Sequence, residues 1–323
     1  MKLIRGLHNI RPRHRHCVLT IGNFDGVHLG HQAVLRRVRQ YAQDLNVPAA
    51  VMVFEPQPLE LFRPEQAPAR LSQWREKYAL MSKLGLEYLI CTRFNAEFSQ
   101  QPAEHFIQQV LVEKLGVKHL VVGDDFRFGR NRQGDFNLLQ QAGAEFGFTV
   151  TNTESYRQSA TRVSSTLIRE ALVRGQFVDA ATMLGQPFHF SGRVIHGEKN
   201  GRKLGYPTAN LALKRLHSPL HGVFAVTVSN GKEHWQGIAN IGKRPTFGGE
   251  QLQLEVHLFD FHGNLYGQRL SVYPEYHIRE EQKFDSLPAL QAQLAQDEAA
   301  GRQWFAQRPH LFSIQATTNG QHP

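Results

Sequence analysis

The first half of the chain alternates short apolar runs with longer stretches in which apolar residues recur three and four positions apart. Val18–Ile21, Ala50–Phe54, Tyr88–Cys91, His119–Val122 and Phe148–Thr151 read as strands. Between them, Gln32–Gln43, Ser72–Leu84, Ala103–Leu115 and Phe136–Phe146 read as helices with one buried face, and Pro102 stands where a first helical turn tolerates proline. Strands alternating with helices predict βαβ units around a parallel sheet, so residues 1–185 are expected to form a doubly wound α/β domain.

After Gly185-Gln186-Pro187 the rhythm changes. Phe188–Ile195, Val223–Ser229, His234–Asn240, Leu252–Phe259 and Gln268–Tyr273 are strand-like with no helix between them, which predicts an antiparallel β-barrel over residues 186–310. Asn230-Gly231 and His262-Gly263-Asn264 are turn sequences of the kind that join adjacent antiparallel strands. Pro274 interrupts the last strand and leaves its end open. Leu287–Phe305 reads as a helix laid across the barrel, and residues 311–323 are polar enough to form a disordered tail.

Composition adds limits. With 323 residues and 41% hydrophobic positions the chain can bury two cores, and it has no run of about 18 apolar residues that would suggest a membrane helix. Lys2 and Arg5 are followed by Arg11, Arg13, His14, Arg15 and His16 rather than an apolar signal core, and Cys17 and Cys91 sit in apolar runs as reduced core thiols would. A cytoplasmic protein is expected. The net charge of +9 suits either nucleic acid or small polyanionic substrates. Without a helix-turn-helix signature, zinc spacing or interleaved aromatic and basic residues, small-molecule substrates are expected, not a nucleic acid or membrane partner.

The sharpest local signal, Gly22-Asn23-Phe24-Asp25-Gly26-Val27-His28-Leu29-Gly30-His31, falls where the first of the predicted strands ends and the first helix begins. A helix start offers free N–H groups and a positive dipole end, and glycines let a ligand approach the backbone, so the junction suits phosphate. His28 and His31, three apart, project from one face. Two more segments follow predicted strands or open a helix: Gly123-Asp124-Asp125-Phe126-Arg127-Phe128-Gly129, and Arg162-Val163-Ser164-Ser165-Thr166-Leu167-Ile168-Arg169. Together they resemble the nucleotidyltransferase superfamily with its His-x-Gly-His motif, in particular the FMN adenylyltransferase module of bacterial FAD synthetases.

That resemblance implies an ATP site comprising Gly22, Asn23, Phe24, Gly30, Arg162, Ser165, Thr166 and Arg169, with His28 and His31 on the phosphates during adenylyl transfer. It also implies flavin contacts from Asp125, Phe126 and Phe128. Asp125 stands where some members carry Asn. No general base is required, because the terminal phosphate of FMN is already an anion when it attacks the α-phosphorus of ATP.

In the second half, Gly192-Arg193-Val194-Ile195-His196-Gly197-Glu198 leads into Asn200-Gly201-Arg202-Lys203-Leu204-Gly205-Tyr206-Pro207-Thr208-Ala209-Asn210-Leu211. Neither a Walker A loop nor Gly-x-Gly-x-x-Gly occurs. Thr208 and Asn210 are two apart, so in an extended segment their oxygens point the same way. Leu254-Glu255-Val256-His257-Leu258 and the Arg279-x-Glu281-x-Lys283-Phe284 ending complete a resemblance to riboflavin kinase. It implies a flap with Gly197, Lys203 and Gly205 over the ATP phosphates, Thr208 and Asn210 on Mg²⁺ and phosphate, Arg279 toward the flavin, and Glu255 as the base that deprotonates the ribityl hydroxyl.

The expected function is ATP-dependent phosphorylation of riboflavin to FMN followed by adenylylation of FMN to FAD, with Mg²⁺ as cofactor. Two alternatives stay open here: a single-activity nucleotidyltransferase with an accessory barrel, which leaves Thr208, Asn210 and Glu255 without a purpose, and a basic nucleic-acid-binding module.

Overall fold

A computed structural model describes residues 1–308 apart from 124, 154–156, 159–160, 198–200, 202–204, 214 and 247–248, with backbone only at 157–158, 161–162, 243–246 and 249–251. The tail expected at 311–323 lies outside the described residues. By its internal contacts the chain divides into two units, Met1–Pro68 with Trp74–Ser165, and Ala69–Gln73 with the chain from Thr166 onward.

The first unit is built on a six-stranded parallel sheet of β1 (Lys2–Arg5), β2 (Val18–Ile21), β3 (Ala49–Glu55), β4 (Tyr88–Arg93), β5 (His119–Gly123) and β6 (Thr149–Thr153), in the order β1-β4-β3-β2-β5-β6. Successive residues of a strand point to opposite faces. Leu19, Ile21, Ala50 and Met52 meet Phe106, Val110 and Leu111 on one side, while Val18, Val51 and Val53 meet Leu35, Val38 and Ala42 of helix α1 (Leu29–Asp44) on the other. Covering on both faces explains why the strands read as unbroken apolar runs. β1 escaped the sequence pattern because it is a four-residue edge strand with exposed Lys2 and Arg5 at its ends. The helix expected at Ala103–Leu115 starts at Ala103 but widens after Phe106, so that Leu115 N bonds Val110 O, five residues back. β7 (Arg157–Gln158) and β8 (Thr161–Arg162) form a short antiparallel pair. Cys17 is buried and Cys91 partly so, both as free thiols, and burial pushes the Cys17 thiol up to about 12.

From β2 the chain winds outward to β3 and β4 on one side, then returns to lay β5 and β6 on the other. The direction of winding reverses between β2 and β5. Open α/β sheets bind ligands in the crevice at such a point, beyond the C-terminal ends of the strands.

The second unit contains a closed antiparallel barrel of β9 (Phe190–Ile195), β10 (Ala209–Ala212), β11 (Gly222–Ser229), β12 (His234–Thr246), β13 (Gly249–Leu258) and β14 (Arg269–Arg279). Around it the order is β10-β13-β12-β11-β14-β9, and β9 pairs β10 to close the ring. Leu254, Val256 and Leu258 face the core with Val194, Leu211, Val226 and Ala239. Helix Leu287–Ala306, capped by Ser286, packs Phe305 against Ala225, Ile238 and Phe259 on the barrel's outer surface, where Gly301 allows an approach that a side chain would block.

Two expectations need correction. Asn230-Gly231 does join neighbouring strands β11 and β12, but His262-Gly263-Asn264 connects β13 to β14, which are separated in the barrel by β12 and β11. Pro274 does not end the last strand. The register between β11 and β14 shifts between Ala225 and Val226, where Tyr276 and Pro274 are the respective partners, and this bulge at Glu275 lets the strand run on to Arg279. β10 was not anticipated as a strand, since Ala-Asn-Leu-Ala is short and carries a buried Asn210.

Candidate functional site

Beyond β2 the backbone makes a turn in which Phe24 (φ 47°), Gly26 (φ 79°) and Val27 (φ 43°) are all left-handed. For a β-branched residue this is a strained conformation that its surroundings must hold in place. Three side chains hold it through alternate carbonyls: Lys77 Nζ donates to Asn23 O at 2.7 Å, Ser165 Oγ to Asp25 O at 3.1 Å, and Gln32 Nε2 to Val27 O at 3.0 Å. Lys77 is 0% exposed, an unusual place for an ammonium group. Sequence reasoning missed it. The one signal was a lysine four residues before the core residue Met81, hence on the inward face of helix Trp74–Ser82.

The turn delivers His28 to the start of α1, where its Nδ1 accepts the backbone N–H of His31 at 3.2 Å as an N-cap. The two imidazoles are stacked, with centroids 3.6 Å apart and planes 18° from parallel, and the Phe24 ring leans on His31 at 5.0 Å. A Cβ on Gly30 would lie 3.1 Å from the His28 ring and 3.3 Å from Val163 O, so glycine is what permits this packing.

These groups line a cavity of about 310 Å³ with Asp125 and Phe126 past the end of β5, Thr153 at the end of β6, and Ser164 and Ser165. Three segments remote in sequence thus converge on the crevice at the switch point. Gly22, Asn23, Phe24, His28, Gly30, His31, Asp125, Phe126 and Ser165 are brought together. Phe128 stands behind them, stacked on Phe126 at 5.5 Å and pressed against Gly134. Thr166 is exposed, and Arg169 Nε donates to Ala69 O at 2.6 Å within the second unit. Arg162 lies in β8 with its side chain outside the described residues, as Asp124 is altogether. A helix start, clustered imidazoles and a polar rim are the chemistry that suits a phosphate.

The second site grows from barrel register. Asn210 on β10 pairs with Glu255 on β13, Glu255 with Asn240 on β12, Asn240 with Val223 on β11, and Val223 with Arg279 on β14. Directly paired residues share a face, so this row runs along the outer side, away from Leu254 and Val256. Val223, Asn240, Glu255 and Arg279 line a cavity of about 340 Å³ together with Thr208, Glu281 and residues of helix Leu287–Ala306. Thr208 also lines a neighbouring cavity of about 620 Å³ with Pro207, Asn264 and Tyr266. His257 Nδ1 donates to Pro207 O at 3.0 Å, which fixes the residue before Thr208.

Asn210 is 6% exposed, accepts a hydrogen bond from Gln253 Nε2, and is so close to Gly197 that no side chain fits there. Gly205 has φ 85°, the left-handed region that favours glycine, and Lys203 lies outside the described residues. Asn240, whose Nδ2 donates to Glu281 Oε1 at 3.2 Å, and Asp297, which pairs with Arg279, were not anticipated. Their partners are 41 and 18 residues away, and nothing local announces them.

Comparison with known proteins finds a family for each part of the chain. Residues 10–167 match the FAD synthetase family model, and residues 184–305 the riboflavin kinase model. The protein of Escherichia coli (strain K12) named bifunctional riboflavin kinase/FMN adenylyltransferase is 50% identical over 94% of this chain and 98% of its own length. That of Pseudomonas fluorescens, with the same name, is 50% identical over 96% and 100%. A Streptococcus pneumoniae structure titled a macrolide-efflux protein superposes with a TM-score of 0.74 at 30% identity, covering 94% of this chain and all of that one. Efflux describes that protein alone; among the described residues here, no helix is long and apolar enough to cross a membrane.

Proposed function

The chain belongs to the bifunctional riboflavin kinase/FMN adenylyltransferases, and from that premise we propose which residues carry each step and how the two cavities divide the work. The activities are phosphorylation of riboflavin to FMN and adenylylation of FMN to FAD, with ATP in both. Residues 1–185 carry the second step and residues 186–310 the first.

The kinase step belongs to the barrel. Riboflavin brings a neutral ribityl hydroxyl, and Glu255 accepts its proton as the bond to the γ-phosphorus of ATP forms and ADP leaves. Thr208 carries this reading, because it lines both the Glu255 cavity and its neighbour. With flavin in the first and nucleotide in the second, the transferred phosphoryl group lies at their shared edge. Arg279 lines the flavin side, and Gly197, Lys203 and Gly205 belong to the flap on the phosphates.

Thr208 and Asn210 supply a hydroxyl and an amide carbonyl, hard neutral oxygens of the kind Mg²⁺ accepts alongside phosphate. Among the described residues there is no cluster of three or more His, Cys, Asp or Glu that could hold a metal, so the cation would arrive on ATP and be completed by these two. When bound, Mg²⁺ neutralises charge on the phosphate oxygens.

In the adenylyl step the FMN phosphate attacks the α-phosphorus of ATP and pyrophosphate departs. His28, His31 and the start of α1 hold the phosphates, Gly22, Gly30 and Ser165 shape the pocket around them, and Phe126 with Asp125 receives the flavin. Incubation of the purified chain with riboflavin and Mg·ATP, with FMN and FAD separated by chromatography, tests the assignment. Both products are expected, and formation of neither would overturn it.

A further inference from the structure

Arg279 ends β14 at the wall of the Glu255 cavity, and its guanidinium is held with unusual completeness. Nε donates to Asp297 Oδ1 at 2.8 Å, Nη2 to Asp297 Oδ2 at 2.7 Å, and Nη1 to Glu280 O at 2.9 Å. Asp297 is itself backed by Gln293, whose Nε2 donates to Oδ1 at 2.9 Å, and Gln293 Oε1 accepts from Gln282 at 3.1 Å. The carboxylate is 1% exposed and the arginine side chain 20%. The Phe284 ring lies 5.7 Å from the guanidinium carbon.

A two-bond pair fixes the plane of a guanidinium as well as its position. Of its five N–H groups three are used in these bonds, and two remain beyond them. The buried carboxylate also cancels the arginine's charge. A neutral ring covering the pair therefore need not strip water from a lone cation, a desolvation that would oppose binding. Backbone register sets where β14 lies relative to Glu255; Asp297, from a different element, sets where the Arg279 side chain points.

We propose that Asp297 is a positioning residue of the kinase site, which acts through Arg279 to present an oriented, charge-compensated guanidinium to the flavin ring of riboflavin. This rests on the reading that Arg279 contacts the flavin. The test is steady-state FMN formation by the full chain as riboflavin and ATP are varied separately, for Arg279→Met, Asp297→Asn, Asp297→Glu and the Met/Asn double variant. Melting curves and FMN adenylylation are followed on the same preparations. Loss of a hydrogen-bonded charge partner should raise the riboflavin KM of Asp297→Asn about ten-fold. The ATP KM should stay put, Asp297→Glu should recover part of the loss, and the double variant should be no worse than Arg279→Met alone.

An unchanged riboflavin KM in Asp297→Asn, or a double variant whose defect is the product of the two single defects, would overturn the proposal while leaving Arg279 in its role. An unchanged riboflavin KM in Arg279→Met would instead overturn the underlying reading. If melting shows that Asp297→Asn does not fold, Gln293→Leu takes its place. It should raise the riboflavin KM about three-fold by loosening the carboxylate, and no change there would count against the proposal.

Discussion

Replacing Gly197 with alanine tests whether Asn210 must stay where it is. The new methyl would stand 2.6 Å from Asn210 Cγ and 2.7 Å from its Oδ1, well inside van der Waals contact. Asn210 has little room to yield. It is buried, bonded to Gln253, and laddered to Ile195 on one side and Glu255 on the other. Overpacking of this kind costs about 1–3 kcal/mol. If the strain is relieved by turning the amide away from the phosphates, the ATP KM of the kinase step should rise by about 5- to 150-fold, at roughly 1.4 kcal/mol per factor of ten. The assay is FMN formation against ATP concentration, with adenylylation of supplied FMN as the control, because that step uses the cavity of the first unit. An unchanged ATP KM with a normal melting curve would refute the reasoning, and joint loss of both activities would point to general unfolding.

Glu255→Gln removes the proton acceptor while keeping the side chain's size, so FMN formation should fall by about 10²–10⁴ in kcat, while FAD formation from supplied FMN continues; product chromatography reads both. Changing His28 and His31 together to alanine should do the reverse, lowering adenylylation by about 10²-fold or more. Lys77→Met keeps the buried stem but loses the bond to Asn23 O, and the ATP KM of the adenylyl step should rise about ten-fold with the kinase unaffected. Burial lowers the basicity of His14 and His119, helped by neighbouring Arg13 and Arg37 respectively, so the folded state holds them neutral while the unfolded chain would protonate them. Their contribution to stability is present above the unfolded value near 6.5 and is lost as pH falls from there toward the lowered folded values. Melting temperature should therefore drop on acidification below pH 6.5, and a flat profile between 7.5 and 5.5 would refute this.

The parts legible in the sequence are those whose cause is local. A turn that must pass through left-handed Phe24, Gly26 and Val27 before a helix shows as a glycine-rich string between an apolar strand and an amphipathic helix. The strands of a sheet covered on both faces announce themselves as apolar runs. What was not legible depends on pairing over distance. Glu255 is visible as one carboxylate in an alternating strand, but its place between Asn210 and Asn240 follows from the registers of β10, β13 and β12. Lys77, Asn240 and Asp297 owe their importance to partners supplied by other elements. Pro274 left the end of the last strand open, and a bulge at Glu275, which only the pairing with β11 reveals, carries the strand past it.

The contrast between the two cavities follows from the two nucleophiles. A phosphate monoester is already anionic and needs its repulsion from ATP reduced, which suits imidazoles and the N–H groups of a helix start. An alcohol needs a base, and a base is effective only while it retains affinity for a proton; a cation placed against it would lower that affinity. The ladder neighbours of Glu255 are the neutral amides Asn210 and Asn240, and Arg279 stands beyond Asn240 and Val223. There its charge is met by Asp297 at 2.7 Å. Arg279 and Glu255 thus line one cavity, and the charge the arginine brings to it is met by the buried aspartate on the last helix.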